Sequence, residues 1–234
     1  MTVSLPPLFD PVDVTGQADP FQRACAMARA GCDAGTVLYD LGATRLRAAL
    51  VFAPEVPLRD AVVMLPLCGV GFQNALGALA PPEVGVHLQW DGGLRLNGGL
   101  CGQLRIAASG TDPAADIDWL VVALDLALWP QDEDTGHTPD QTALYAEGCA
   151  DVAPQDLLEA WVRHTLVGLN TWDDAGLASL HRDWSGLAHG MGEDTVVQGL
   201  TGTFTGVDER FGLLLKTDQT TALIPLTDLL KEPT

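Results

Sequence analysis

Apolar residues recur at helical spacing from Pro20 to about Cys32, with Phe21, Ala24, Cys25 and Ala28 on one face and a proline to open the first turn. Gly31 and Gly35 bracket the end of that helix. The runs Thr36–Tyr39 and Leu46–Phe52 then read as strands joined by a short connection. A helical stretch opens at Pro57 and reaches Leu79, and Pro66 and Gly69 inside it predict a kink or a break into two helices. Three strand-like runs follow, Val84–Trp90, Leu94–Asn97 and Leu100–Ala108. The Asp91-Gly92-Gly93 and Asn97-Gly98-Gly99 segments between them are hairpin signals. The mostly apolar run Ile117–Leu128 suits a central strand buried on both faces. From Pro130 to Asp140 the chain reads as an acidic loop.

The second half begins with an amphipathic helix, Pro154–Leu169, whose stripe is Leu157, Leu158, Trp161, Val162, Leu166 and Leu169. A second helix is predicted from Thr171, capped by its hydroxyl with Asp174 as capping-box partner, and buried through Leu177, Leu180 and Trp184. Glycines 186, 190 and 192 mark a linker, after which the pattern shortens to strands at Val196–Thr205, Gly212–Thr217 and Thr221–Pro225. The predicted organisation is a main domain over 1–184, a linker over 185–195 and a small β unit over 196–234. A unit of about 40 residues is near the lower limit for folding alone, so it is expected to pack on the main domain. The order of elements predicts an α+β fold, a mixed sheet flanked by helices with a C-terminal SH3-like small β barrel.

Composition narrows the function classes. The chain has 234 residues, 47% of them hydrophobic and only 18% charged, which is ample material for a core. Its 12 Lys and Arg stand against 31 Asp and Glu, a net charge of −19. That balance argues against nucleic acid as a partner, since phosphate contacts need clustered cations, and against an anionic membrane surface. No run of 18 uninterrupted apolar residues occurs, so no membrane span is expected, and Met1–Pro11 has no signal-peptide pattern. Cys25, Cys32, Cys68, Cys101 and Cys149 are odd in number with no CxxC, which predicts reduced, idle thiols in a cytoplasmic protein. His87, His137, His164, His181 and His189 include no HxxxH pair, so no metal site is proposed.

Three segments in order resemble the biotin/lipoate protein ligases. Leu88-Gln-Trp-Asp-Gly-Gly-Leu-Arg-Leu-Asn-Gly-Gly-Leu-Cys-Gly-Gln-Leu104 is similar to the family stretch Lys-Trp-Pro-Asn-Asp, a short turn, then Lys-Leu-Ala-Gly-Ile-Leu, allowing one deleted residue in the turn. Asp151–Trp184 resembles the helical pair after the ligase sheet. Gly202-Thr-Phe-Thr-Gly-Val-Asp-Glu-Arg-Phe-Gly-Leu-Leu-Leu resembles the small SH3-like domain that closes bifunctional biotin ligases. The resemblance implies ATP-dependent adenylation of a carboxylic acid (biotin or lipoate), then acyl transfer to a lysine on a biotinyl or lipoyl carrier domain. ATP and biotin or lipoate are implied as cofactors only if that activity is retained.

The same resemblance shows departures. Bringing a carboxylate to ATP requires fixed cations and N–H donors aimed at the phosphate. The family supplies them from a Gly-Arg-Gly-Arg loop and from the lysine that begins Lys-Leu-Ala-Gly. Here that lysine matches Gly99, the lysine before the tryptophan matches Gln89, and Pro-Asn-Asp has become Asp91-Gly92-Gly93. The arginine loop is cut to Gly42-Ala-Thr-Arg-Leu-Arg47, and the family Gly-Ile-Asn strand reads Ala123-Leu124-Asp125. Both lysine replacements remove positive charge and the Asn-to-Asp change adds negative charge, which reads as a degenerate nucleotide site with no catalytic residue to name.

The candidate ligand-binding residues are Arg45, Arg47, Trp90, Leu100, Cys101, Gly102 and Asp125. Arg45 and Arg47 either hold a carboxylate or phosphate bidentately or are solvated strand residues. Trp90 either packs the core or stacks on ligand, and Gly102 either admits ligand close to the backbone or is forced by strand packing. Cys101 is a pocket residue or a small core residue. Asp125 needs a partner, Arg105 or Arg47, or else serves the pocket. Two functions follow: a module that binds a small carboxylic acid or acyl group without efficient ligation, or an active ligase or acyl-transferase (biotinyl, lipoyl or octanoyl). Carrier domains of this kind are commonly acidic, so the −19 charge opposes the second unless a local patch relieves it.

Overall fold

The computed structural model of the protein describes residues 3–130 and 140–231. The loop expected after Pro130, and His137 within it, therefore lie outside the described residues. Strands β1 (Asp10–Asp13), β2 (Thr36–Leu41), β3 (Arg45–Phe52), β4 (Val86–Leu88), β5 (Gly93–Leu96), β6 (Gly99–Ala108) and β7 (Leu120–Ala127) form one sheet in the order β1-β2-β3-β7-β6-β5-β4. Only β1 and β2 run parallel, so the sheet is mixed.

Alternation along β3 decides the two layers. Leu46, Ala48, Leu50 and Phe52 join the large core under helices α3 (Met64–Leu79) and α4 (Pro154–Ala175). Ala49 and Val51 face the opposite way and join Phe21, Ala24, Cys25 and Ala28 of α1 (Pro20–Arg29). The indole N–H of Trp161, buried in α4, donates to the Cys68 carbonyl in α3 at 3.0 Å and ties the two core helices.

Two helix boundaries differ from expectation. The break predicted at Pro66 and Gly69 falls earlier, at Val62–Val63, between α2 (Leu58–Ala61) and α3. Pro66 then occupies the first turn of α3, where no N–H has an intrahelical acceptor, and is tolerated without a kink. The helix start expected at Thr171 does not exist: α4 runs unbroken to Ala175, and the Thr171 hydroxyl donates to the Val167 carbonyl at 2.9 Å. The chain turns instead at Gly176 (φ 73°) into α5 (Ala178–Leu187). Leu58–Leu79 is long and apolar enough by composition to cross a membrane, with mean hydropathy 1.6, although it holds no uninterrupted apolar run of about 18 residues; 72% of that window is buried in the core.

The C-terminal unit is a four-stranded antiparallel meander of β8 (Asp194–Val197), β9 (Leu200–Val207), β10 (Leu213–Lys216) and β11 (Thr221–Ile224). The run read as one strand, Val196–Thr205, is a hairpin, because Gln198 and Gly199 both take positive φ (52° and 80°) and reverse the chain. The expected packing on the main domain is present. Phe211 is buried with its ring edge-on to Trp184 at 5.9 Å, Arg210 Nε meets Asp60 Oδ1 at 2.8 Å, and the Lys231 N–H donates to the Ile106 carbonyl at 2.9 Å.

Candidate functional site

Register across five strands builds one row, polar on four of them and ending on a glycine of the fifth. Asp40 pairs with Arg47, Arg47 with Asp125, Asp125 with Gln103, and Gln103 with Gly93. Directly opposed residues point to the same face, so these side chains stand side by side across the sheet. The face is the one α1 covers further along β3. Arg105, two residues along β6 from Gln103, reaches Asp19, the N-cap of α1, and lies 4.7 Å over the Phe21 ring.

The arginines of β3 and β6 on this face, Arg45, Arg47 and Arg105, each have a carboxylate. Arg45 Nε donates to Asp125 Oδ1 at 2.7 Å, Arg47 Nη2 donates to Asp40 Oδ2, and Arg105 Nη2 contacts both Asp19 oxygens at 3.2 and 3.3 Å. The partner expected for Asp125, Arg105 or Arg47, is therefore corrected to Arg45. Arg45 lies two residues from Arg47 on the same face of β3 and reaches back along the strand. Arg47 is drawn across to β2, where the Asp40 side chain is only 5% exposed. Three guanidinium groups and three carboxylates sum to no net charge. Asp40 and Gln103 were not singled out in the sequence, although an aspartate in the apolar run of β2 was a visible anomaly.

The remaining candidates sit differently. Trp90 is buried, and its indole N–H donates to the Phe211 carbonyl at 2.7 Å, so it faces the C-terminal unit. Leu100 is engaged through its backbone, donating to the Asp140 carbonyl and accepting from the Thr142 N–H. Cys101 is buried with its thiol against the Ala127 carbonyl at 3.5 Å. Burial, reinforced by Glu147 and Cys149 nearby, pushes that thiol up to about 12, a neutral group unsuited to nucleophilic attack. Gly102 packs under β7: a Cβ there would lie 2.8 Å from the Asp125 carbonyl oxygen. Gly99, at the place of the family lysine, faces Thr142, whose methyl would be 2.8 Å from an added Cβ.

The Asp91–Gly93 turn is bound to the polar row. Gln103 Nε2 donates to the Asp91 carbonyl at 2.7 Å, and the Leu104 N–H donates to the Gly92 carbonyl at 2.8 Å. Behind the turn, Trp90, Gly93, Leu104, Trp184 and Phe211 line an apolar cavity of about 10 Å³, space for about one water molecule. It shares Gly93 with the polar row and is too small for an acyl chain.

Comparison with known proteins agrees with this architecture. The sequence profile of the biotin/lipoate A/B protein ligase family matches residues 5–186, and that of a domain of unknown function (DUF4444) matches residues 191–232. A crystal structure of a biotin protein ligase-like protein of unknown function from Silicibacter sp. TM1040 is 60% identical, with TM-score 0.94, over 99% of this chain and 100% of that one. The Aquifex aeolicus biotin protein ligase in complex with biotin and ATP shares the fold at TM-score 0.70 and 17% identity, over 92% of this chain and 95% of that one. A Paracoccus denitrificans biotin–[acetyl-CoA-carboxylase] ligase is 23% identical over 186 residues, 77% of each chain.

Proposed function

The chain belongs to the biotin/lipoate A/B protein ligase family, and from that premise we propose a binding module that has kept the ligase scaffold. It takes a small carboxylic acid or acyl group on the sheet face around Arg45, Arg47 and Asp125, and does not ligate it efficiently. The observation that carries this reading is the pairing of Arg45, Arg47 and Arg105 with aspartates. Adenylation brings two anions together and builds charge on the phosphate, and each lost donor of that kind costs about 2.7–4 kcal/mol of transition-state stabilisation. The lysines of the chain, Lys216 and Lys231, lie in the C-terminal unit. The residues present do not fit a nucleoside triphosphate.

Restoring a lysine at position 99 would not repair the site by itself, because Thr142 occupies the space a side chain needs. Acyl transfer through Cys101 is disfavoured by its burial and its raised pKa. The five free cysteines, four of them buried, agree with a reducing, cytoplasmic setting. The test is titration calorimetry with biotin, lipoate, octanoate and their acyl-adenylates, paired with mass spectrometry of a biotinyl carrier domain incubated with the protein, biotin and ATP. Binding of at least one acyl compound with no mass gain on the carrier is the expected result. A carrier that gains the acyl mass overturns the reading.

A further inference from the structure

We infer that Asp40 and Asp125 are specificity residues which set the charge preference of the ligand: the polar row favours an acyl group whose polar end is uncharged, an amide, ester or thioester carbonyl, and holds the free carboxylate and phosphates more weakly. The inference rests on the binding face proposed above and says which members of the acyl class it accepts.

Guanidinium chemistry separates two properties that are usually offered together. An arginine carries a positive charge and five N–H donors in a plane. Arg45 spends Nε on Asp125, and Arg47 and Arg105 each spend Nη2 on their aspartates. The charge is thereby matched while other N–H groups remain on each fork. A carbonyl oxygen needs a donor and no net charge, so it accepts from such a fork without disturbing the pair. An anion must compete with the resident carboxylate for the same guanidinium. It meets repulsion from Asp125, about one-quarter exposed, and from Asp40, whose burial leaves its charge poorly screened. Gln103 is itself neutral and is committed through Nε2 to the Asp91 carbonyl.

The experiment compares matched probes on the full chain by calorimetry: biotin with biotinamide, lipoate with lipoamide, octanoate with octanamide, and inorganic pyrophosphate as a bare anion. The amide that binds is expected to exceed its acid by roughly tenfold, with the ratio surviving 0.5 M salt because a local pair is screened less than the overall field. Asp125→Asn is expected to tighten the acid by roughly tenfold, about one pKa unit's worth of charge interaction, and leave the amide little changed. Asp218→Asn, which removes the same charge on the turn after β10, should do neither. Asp40→Asn provides a second variant should Asp125→Asn fail to fold. An acid that binds as tightly as its amide, or an Asp125→Asn chain with an unchanged ratio, overturns the inference and leaves the binding reading standing. Failure of all six acyl probes to bind overturns both.

Discussion

At the scale of the residue, Arg45 and Arg47 of β3 are each held by an aspartate of a neighbouring strand, Asp125 of β7 and Asp40 of β2. Alternation put Arg45, Arg47 and Asp125 on strands, but the choice of partner depends on register between β2, β3 and β7. Asp125 and Arg45 are 80 positions apart, a separation at which no local pattern indicates contact. Gly102 illustrates the same limit. Sequence left it between ligand access and strand packing; the structure supplies a packing reason, the Asp125 carbonyl 2.8 Å from any added Cβ. Gly102→Ala is therefore expected to destabilise the protein by about 1–3 kcal/mol through local overpacking. Urea unfolding measures it, and an unchanged midpoint would mean that β7 yields and that packing does not require the glycine.

At the scale of the element, helices and strands were legible wherever period and turn chemistry agreed. The α1 stripe and the Asn97-Gly98 turn, both residues at positive φ (48° and 94°), are examples. One difference arose where a polar residue had two uses. Thr171 can cap a helix or return its hydroxyl to the preceding turn, and α4 continues because its apolar face goes on past Leu169 to Trp172. Gly176, at φ 73° and ψ −164°, takes backbone angles that a side chain strongly disfavours. Thr171→Ala should accordingly change stability by less than about 0.5 kcal/mol, whereas Gly176→Ala should cost about 1–3 kcal/mol. The reverse order in thermal unfolding would restore a helix start at Thr171.

At the scale of the whole molecule, the C-terminal unit is joined to the sheet through Trp90, the residue that begins the Asp91–Gly93 turn beside the polar row. Sequence showed that a small β unit needed a neighbour, and that Trp90 was large enough to be core. It could not show that the two facts were one contact, between residues 121 positions apart. Trp90→Phe keeps an aromatic ring and deletes the N–H, leaving the Phe211 carbonyl without that donor, at a cost of about 1–3 kcal/mol. Limited proteolysis should then cut more readily between α5 and β8, and an unaltered digestion pattern would show that the indole bond does not hold the unit in place.

A ligase scaffold whose sheet-face arginines are matched by carboxylates should not adenylate an acid. The decisive measurement is acid-dependent exchange of labelled pyrophosphate into ATP, the reverse of adenylation, with biotin, lipoate and octanoate each supplied at saturation. No exchange above that of a protein-free blank is expected with any of the three acids. Exchange that requires one of them, and disappears in an Arg45→Ala and Arg47→Ala double variant that still folds, would contradict that expectation.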